Sequence, residues 1–349
     1  MRGSASLVVV AAVVMAGVAV RSQDAPRFRG GVELVHVTAT VTDGDGRFVS
    51  GLRRNDFTVL EDGAAQEVTY FSSDRVPVSL GIVLDASGSM SRDKLGAARA
   101  AIDRLIVDLL GPDDELFFME FADTPQLTQT WTRDRLAISE AIGAVRTVGG
   151  TAMYDAVAAA LPVAERGVHR KKALLLISDG NDTDSHIDVV ELIRMIRASD
   201  VLVYALGIDA SDELRSRGTF RPQVRFPGLP LPVPGGRRPG QPPFPPSIPT
   251  PPRVPAPPVP SDSWTRRPDD RVDADALRRI TDDTGGRTEI LRRVDDLDRA
   301  TALLADELSR QYSLGYVSPA GRDGQWHAIR VTVRDGRLTV RARQGYVAS

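Results

Sequence analysis

Cysteine is absent from all 349 residues. That excludes a disulfide framework, cysteine-ligated zinc, a thiol nucleophile and a lipid-carrying N-terminal cysteine. Lysine is almost absent: Lys94, Lys171 and Lys172 are the three present, and arginine supplies the rest of the 44 basic side chains. Against 46 acidic residues this leaves a formal net charge of -2, so no basic excess points to a nucleic-acid partner. Catalytic signatures are missing too. There is no G-x-S-x-G elbow, no H-E-x-x-H, no phosphate-binding Walker loop and no G-x-G-x-x-G. The histidines, His36, His169, His186 and His327, fall on separate predicted elements, where each is more simply a surface or strand residue than a general base.

An apolar run long enough to span a bilayer is also lacking. Leu7 to Val20 is uninterrupted by charge but falls short of the roughly 20 residues a spanning helix needs. Arg2 precedes it and Arg21-Ser22-Gln23 follows, the layout of an export signal over residues 1–23. An exported, periplasmic, cell-surface or secreted protein with no membrane span in the mature chain is therefore expected; the alternative is an uncleaved anchor. A chain of this length buries a sizeable core without metal or disulfide staples, as one large domain plus a smaller one.

From Val32 to Phe71 short runs alternate apolar and polar residues between Asp-Gly turns, which predicts antiparallel strands. Asp43-Gly44-Asp45-Gly46 looks like a calcium loop but lacks the downstream Glu such loops use, so a hairpin turn is expected. Beyond Val76 the pattern changes. Apolar residues at Leu95, Ala98, Ile102, Leu105, Ile106 and Leu109 predict an amphipathic helix over Arg92–Leu110, stopped by Gly111-Pro112. Strands are expected at Val78–Asp85, Glu115–Phe121, Gln126–Thr132, Lys172–Ser178, Val201–Gly207 and Arg287–Leu291, with helices between them and a last helix to Arg310. This alternation is that of an α/β fold, a doubly wound, mostly parallel sheet. Prolines crowd residues 221–260, denying the backbone helix and ladder bonds alike; an extended insertion is expected there. Residues 312–349 alternate again, with a hairpin signal at Asp335-Gly336, and are expected to pair with residues 31–75 as a small antiparallel β module.

Within the α/β body, the apolar strand Val78–Leu84 ends in Asp85-Ala86-Ser87-Gly88-Ser89. Three oxygen-bearing side chains alternate along a glycine-containing loop at the carboxyl end of a strand, where open α/β sheets bind ligands. Three hard oxygens converging on one point suit a hard divalent cation. Two distant stretches complete the pattern: Gly149-Gly150-Thr151 opening a helix, and Ser178-Asp179-Gly180 after the apolar strand Ala173–Ile177. Together these resemble the von Willebrand factor type A (VWA) family over residues 76–311, and the whole layout is similar to exported bacterial proteins called VWFA-related.

The resemblance implies a metal-ion-dependent adhesion site (MIDAS) formed by Asp85, Ser87, Ser89, Thr151 and Asp179. It implies Mg2+ there, with Mn2+ or Ca2+ as alternatives, and a non-enzymatic module that captures an acidic group of a protein, matrix or envelope partner. Asp182, Asp184 and His186 read as a solvated loop, with a second site as the alternative, and Asp155 as a support for the Thr151 loop. Other readings are a structural envelope accessory with a folding metal and a serine hydrolase using Ser91-x-x-Lys94, the S-x-x-K pattern of penicillin-recognising enzymes. The K-T-G partner of that pattern occurs nowhere.

Overall fold

The computed structural model describes residues 34–179, 182–208, 272–293 and 295–348; the expected export signal and proline-rich insertion lie outside these. The lead forms β1 (Leu34–Thr42), β2 (Phe57–Glu61), β3 (Ala64–Gln66) and β4 (Val68–Ser72). Then come β5 (Val78–Asp85), α1 (Arg92–Arg104), β6 (Glu115–Phe121), β7 (Pro125–Thr132) and α2 (Arg135–Ala144). They are followed by α3 (Met153–Glu165), β8 (Lys171–Ser178), α4 (Val189–Ala198) and β9 (Leu202–Ile208). After residue 272 come α5 (Ala274–Asp282), β10 (Thr288–Leu291) and α6 (Asp296–Arg310). The last strands are β11 (Tyr312–Val317), β12 (Trp326–Val333), β13 (Thr339–Ala342) and β14 (Gly345–Val347).

The central sheet runs β10-β9-β8-β5-β6-β7, parallel throughout except for β7 at one edge. All eight residues of β5 are buried, as expected of a strand covered by helices on both faces. Leu80, Ile82 and Leu84 join Leu175 and Ile177 on the face under α1, α2 and α6. Val83, Phe117, Leu174 and Leu176 pack on the other, under α3, α4 and α5. Gly81 lies where a Cβ would run into the Phe117 ring and Leu174, so the tight packing of β5 against its neighbours fixes that residue type. The winding reverses between β5 and β8, which opens a crevice at their carboxyl ends.

The helix expected through Leu110 departs from α geometry in its last turn. Residues Leu105–Leu109 form a π turn in which Leu110 N–H donates to Leu105 O at 3.0 Å. The wider turn leaves the adjacent residues Leu105 and Ile106 both fully buried.

The remaining strands build two four-stranded antiparallel sheets, β13-β1-β11-β4 and β14-β12-β2-β3. Val35, Val37, Val41, Phe57, Val59, Tyr312, Leu314 and Ile329 fill one core shared by both. The lead divides, β1 and β4 joining one sheet and β2 and β3 the other. One local expectation changes. Asp335-Gly336 does not close a hairpin: β12 pairs with β2 and β14, whereas β13 pairs with β1, so this turn carries the chain from one sheet to the next. A paired hairpin forms instead at Asp62-Gly63, joining β2 to β3 with φ of 50° and 83°, the sign pattern that suits the right-handed twist of flanking strands. Asp43-Gly44-Asp45-Gly46 is a turn, its Asp43 Oδ1 accepting from Asp45 N–H and Arg47 N–H at 2.9 Å each.

The β module meets the body at the amino ends of the parallel strands. His36 of β1 lies 3.2 Å from Arg170 Nη1, one residue before β8, and Gln311 Nε2, just after α6, donates to Thr40 Oγ1 of β1 at 3.0 Å. The crevice at the carboxyl ends is at the opposite pole of the sheet.

Candidate metal centre

Hydrogen bonds join four of the five expected side chains. Asp85 closes β5 and is fully buried. Its Oδ1 accepts the Ser87 N–H at 2.8 Å and its Oδ2 the Ser178 hydroxyl at 2.5 Å. The Ser87 and Ser89 hydroxyls lie 2.9 Å apart, and Ser89 Oγ donates to Asp179 Oδ1 at 2.7 Å. The other Asp179 oxygen takes the Lys94 ammonium. Burial pushes the Asp85 carboxyl above its ordinary range; hydrogen bonds from Ser178 and Ser87 oppose this, and the Asp179 charge adds to it. Two carboxylates held in one desolvated crevice call for positive charge.

Thr151 enters through the neighbouring loop. Val148 N–H donates to Ala86 O at 2.8 Å and Gly88 N–H to Gly149 O at 3.0 Å, so the backbones of the two loops are stitched together. Gly149 has φ 75° and Gly88 passes within 3.3 Å of Gly149 O by its notional Cβ, which is why glycine stands on both sides of the contact. Among the described residues the Thr151 hydroxyl makes no hydrogen bond to the other four side chains. Its N–H donates to Thr183 Oγ1 at 3.1 Å and Asp184 Oδ2 at 3.0 Å, while Gly150 N–H donates to Asp123 Oδ1 at 2.5 Å.

The loop after β8 caps α3 from a distance. Asp182 Oδ1 accepts Tyr154 N–H at 3.0 Å and Ser185 Oγ accepts Asp155 N–H at 3.1 Å, satisfying helix N-terminal donors for which Ala152 has no side-chain oxygen. Asp155 in turn accepts His186 N–H at 3.0 Å and Ile187 N–H at 3.2 Å. The loop its carboxylate holds is the one after β8, not the Thr151 loop that its position four residues after Thr151 suggests.

Sequence reasoning missed Ser178, Asp123 and Lys94. Ser178 carried a signal, a hydroxyl at the last position of an apolar strand beside Asp179. Lys94 carried none, since it sits on the polar face of an ordinary amphipathic helix. In S-x-x-K enzymes the lysine serves the serine. Here Ser91 Oγ caps α1 by accepting Lys94 N–H at 3.3 Å, and the ammonium goes to Asp179 instead.

A second charged cluster lies in the β module, where atoms of Glu61, Asp62 and His327 fall within 4.8 Å of one another. His327 Nδ1 is 2.7 Å from Asp62 Oδ2, and Nε2 is 3.1 Å from Asp323 Oδ1. An imidazole flanked by carboxylates on both nitrogens is best satisfied as a cation, and bonds to Asp62 and then Asp323 raise the His327 pKa. The stability this contributes is complete below about pH 6.5, the unperturbed value, and is lost as pH rises through the raised folded value. The unfolding midpoint should fall as pH rises through that window, and His327→Gln should flatten the slope. An identical pH profile in both proteins would refute the assignment.

Residues 80–181 match the von Willebrand factor type A domain family. A search of curated proteins finds no match. Among solved structures the chain is similar to a von Willebrand factor type A protein from Catenulispora acidiphila, at 15% identity and TM-score 0.46, over 91% of this chain and 74% of that one. It is similar to the conserved hypothetical protein BatB from Bacteroides thetaiotaomicron at 19% identity and TM-score 0.42, over 66% of this chain and 98% of that one. Similarity to the vWF domain of the type V pili tip protein Mfa5 from Porphyromonas gingivalis is at 22% identity and TM-score 0.29, over 31% of this chain and 40% of that one. Residues 80–181, set in a mostly parallel sheet flanked by helices, thus form a von Willebrand factor type A domain.

Proposed function

We propose that the protein is an exported, divalent-cation-dependent binding module. Asp85, Ser87, Ser89, Thr151 and Asp179 would hold Mg2+, with Mn2+ or Ca2+ as alternatives, and capture a carboxylate of a protein, matrix or envelope partner. The observation that carries this reading is the meeting of Asp85, Ser87, Ser89 and Asp179 in one hydrogen-bonded group at the reversal point of the sheet. The donors fit such an ion: they are oxygens only, and two are carboxylates whose mutual repulsion and burial a cation relieves. When bound, the ion supplies a Lewis-acidic point that draws an anionic group.

Binding rather than catalysis is the role, in keeping with VWA domains as protein-interaction modules. The proposed division is an N-terminal strand segment, 31–75, a VWA domain, 76–311, and C-terminal strands, 312–349. Among the described residues no helix is long and apolar enough to cross a membrane.

The test is chelation. Envelope extract passed over the immobilised chain should yield a partner in Mg2+ and lose it in EDTA, while the melting temperature of the protein falls by only a few degrees. A partner retained in EDTA would overturn the reading. A collapse of the melting temperature would favour a folding metal in a structural accessory.

A further inference from the structure

Asp179 already holds a cation. Its side chain is wholly buried and ion-paired to Lys94, whose own side chain is 16% exposed. The ammonium also donates to Ser89 O at 3.4 Å, so it reaches the same Ser89 whose hydroxyl bonds the other Asp179 oxygen. Both oxygens of Asp179 are thereby engaged. An ion that approaches Asp179 therefore meets an ammonium already placed there, whose like charge opposes it.

Two features set this lysine apart. It stands in the first turn of α1, three residues after the Ser91 cap, where the positive end of the helix disfavours a cation; its place there depends on the carboxylate it meets. It is also one of three lysines in a chain that otherwise uses arginine. A guanidinium would clamp a carboxylate with a rigid two-pronged fork, whereas an ammonium on a four-carbon stem is a point charge that swings away easily.

We propose that Lys94 is a tethered competitor for the metal centre: its ammonium and a divalent cation exchange at Asp179, so this one side chain sets the affinity for the ion. The proposal rests on the metal-binding reading above. It makes uptake of the ion a displacement, in which the lysine leaves Asp179 and its charge moves toward solvent. It also gives the Asp85 and Asp179 loops an internal counter-charge that keeps them assembled.

Calorimetric titration of the full chain with Mg2+ and Mn2+ tests this with two variants. Lys94→Met removes the competitor and should bind at least about tenfold more tightly, the scale expected when a like charge a few ångströms away is deleted from a partly buried site. In EDTA it should melt lower than the native chain, having lost the counter-charge. Lys94→Arg strengthens the clamp and should bind more weakly than the native chain, while melting in EDTA at the native temperature or above. A merely structural lysine would not move affinity in opposite directions in the two variants. Equal or weaker binding by Lys94→Met, with both variants folded by circular dichroism, overturns the proposal alone. No uptake by the native chain or by Lys94→Met overturns the metal-binding reading and the proposal with it.

Discussion

Replacing Asp85 by alanine should abolish divalent-cation uptake and leave the chain folded. The side chain is buried, yet its partners are the hydroxyl of Ser178 and the N–H of Ser87 rather than the apolar core that holds β5 in the sheet. Each donor left without an acceptor costs about 1–3 kcal/mol. Part of that is returned, because the carboxylate removed is one that burial holds above its ordinary range. The net loss should be a few kcal/mol at most, below the roughly 5–15 kcal/mol of a typical domain. The metal readout is larger: at a free cation concentration of about 100 Kd the native chain gains about 2.7 kcal/mol, and the variant should gain nothing. Asp85→Asn, which keeps an acceptor for Ser87, separates charge from shape. Thermal shift and calorimetry with Mg2+ and Mn2+ give the answer, and undiminished uptake by either variant would remove Asp85 from the site.

Glu307 is the second place where one carboxylate matters out of proportion. It lies on α6, is 6% exposed, and accepts from Thr40 Oγ1 at 3.2 Å, Tyr204 Oη at 3.1 Å and Arg341 Nη2 at 2.6 Å. Thr40 and Arg341 belong to β1 and β13 of the β module, whereas Tyr204 belongs to β9 of the body. Gln311 Nε2 bridges the same two hydroxyls, at 3.0 and 2.8 Å. Glu307→Ala would strip the acceptor from all three donors. Removing one partner of a buried ion pair costs about 3–5 kcal/mol. The lower end is expected here, since Arg341 is partly exposed and keeps its 2.8 Å bond to Gly286 O. Urea unfolding should show a loss of about 3 kcal/mol on that basis. A shift below about 0.5 kcal/mol, the usual range of surface changes, would mean that the carboxylate does not hold the module to the body.

Much of this architecture can be read in the chain because local pattern and final burial coincide. The strand Val78–Asp85 is apolar throughout, as both its faces are covered, and its acidic terminus marks the reversal point. The packed face of α1 follows from three- and four-residue spacings, since Leu95, Ala98 and Ile102 are all buried, although its last turn does not keep α geometry. Pairing is harder to see. Alternation in β1 and β2 shows that each has one buried side but is silent about partners, and one partner of each lies more than 250 positions away, in β11 and β12. Asp62-Gly63 and Asp335-Gly336 are chemically alike, yet only the first joins paired strands; the difference lies in which sheet receives the next segment. At the metal centre the oxygens could be listed from spacing, because short loops confine them. The ammonium at Asp179 could not, since Lys94 is 85 positions distant and looks like any solvated helix lysine.

The outer strands of the central sheet bear on how this protein behaves at high concentration. A sheet edge offers unpaired N–H and C=O groups to a neighbouring copy, and long flat apolar edges seed fibrils. Here β7 begins with Pro125, carries Gln126, Thr128, Gln129 and Thr130, and slips register twice against β6. At the far side β10 is four residues long. Neither is a good template for an added strand, so crowding of this domain should not recruit it into intermolecular β-sheet.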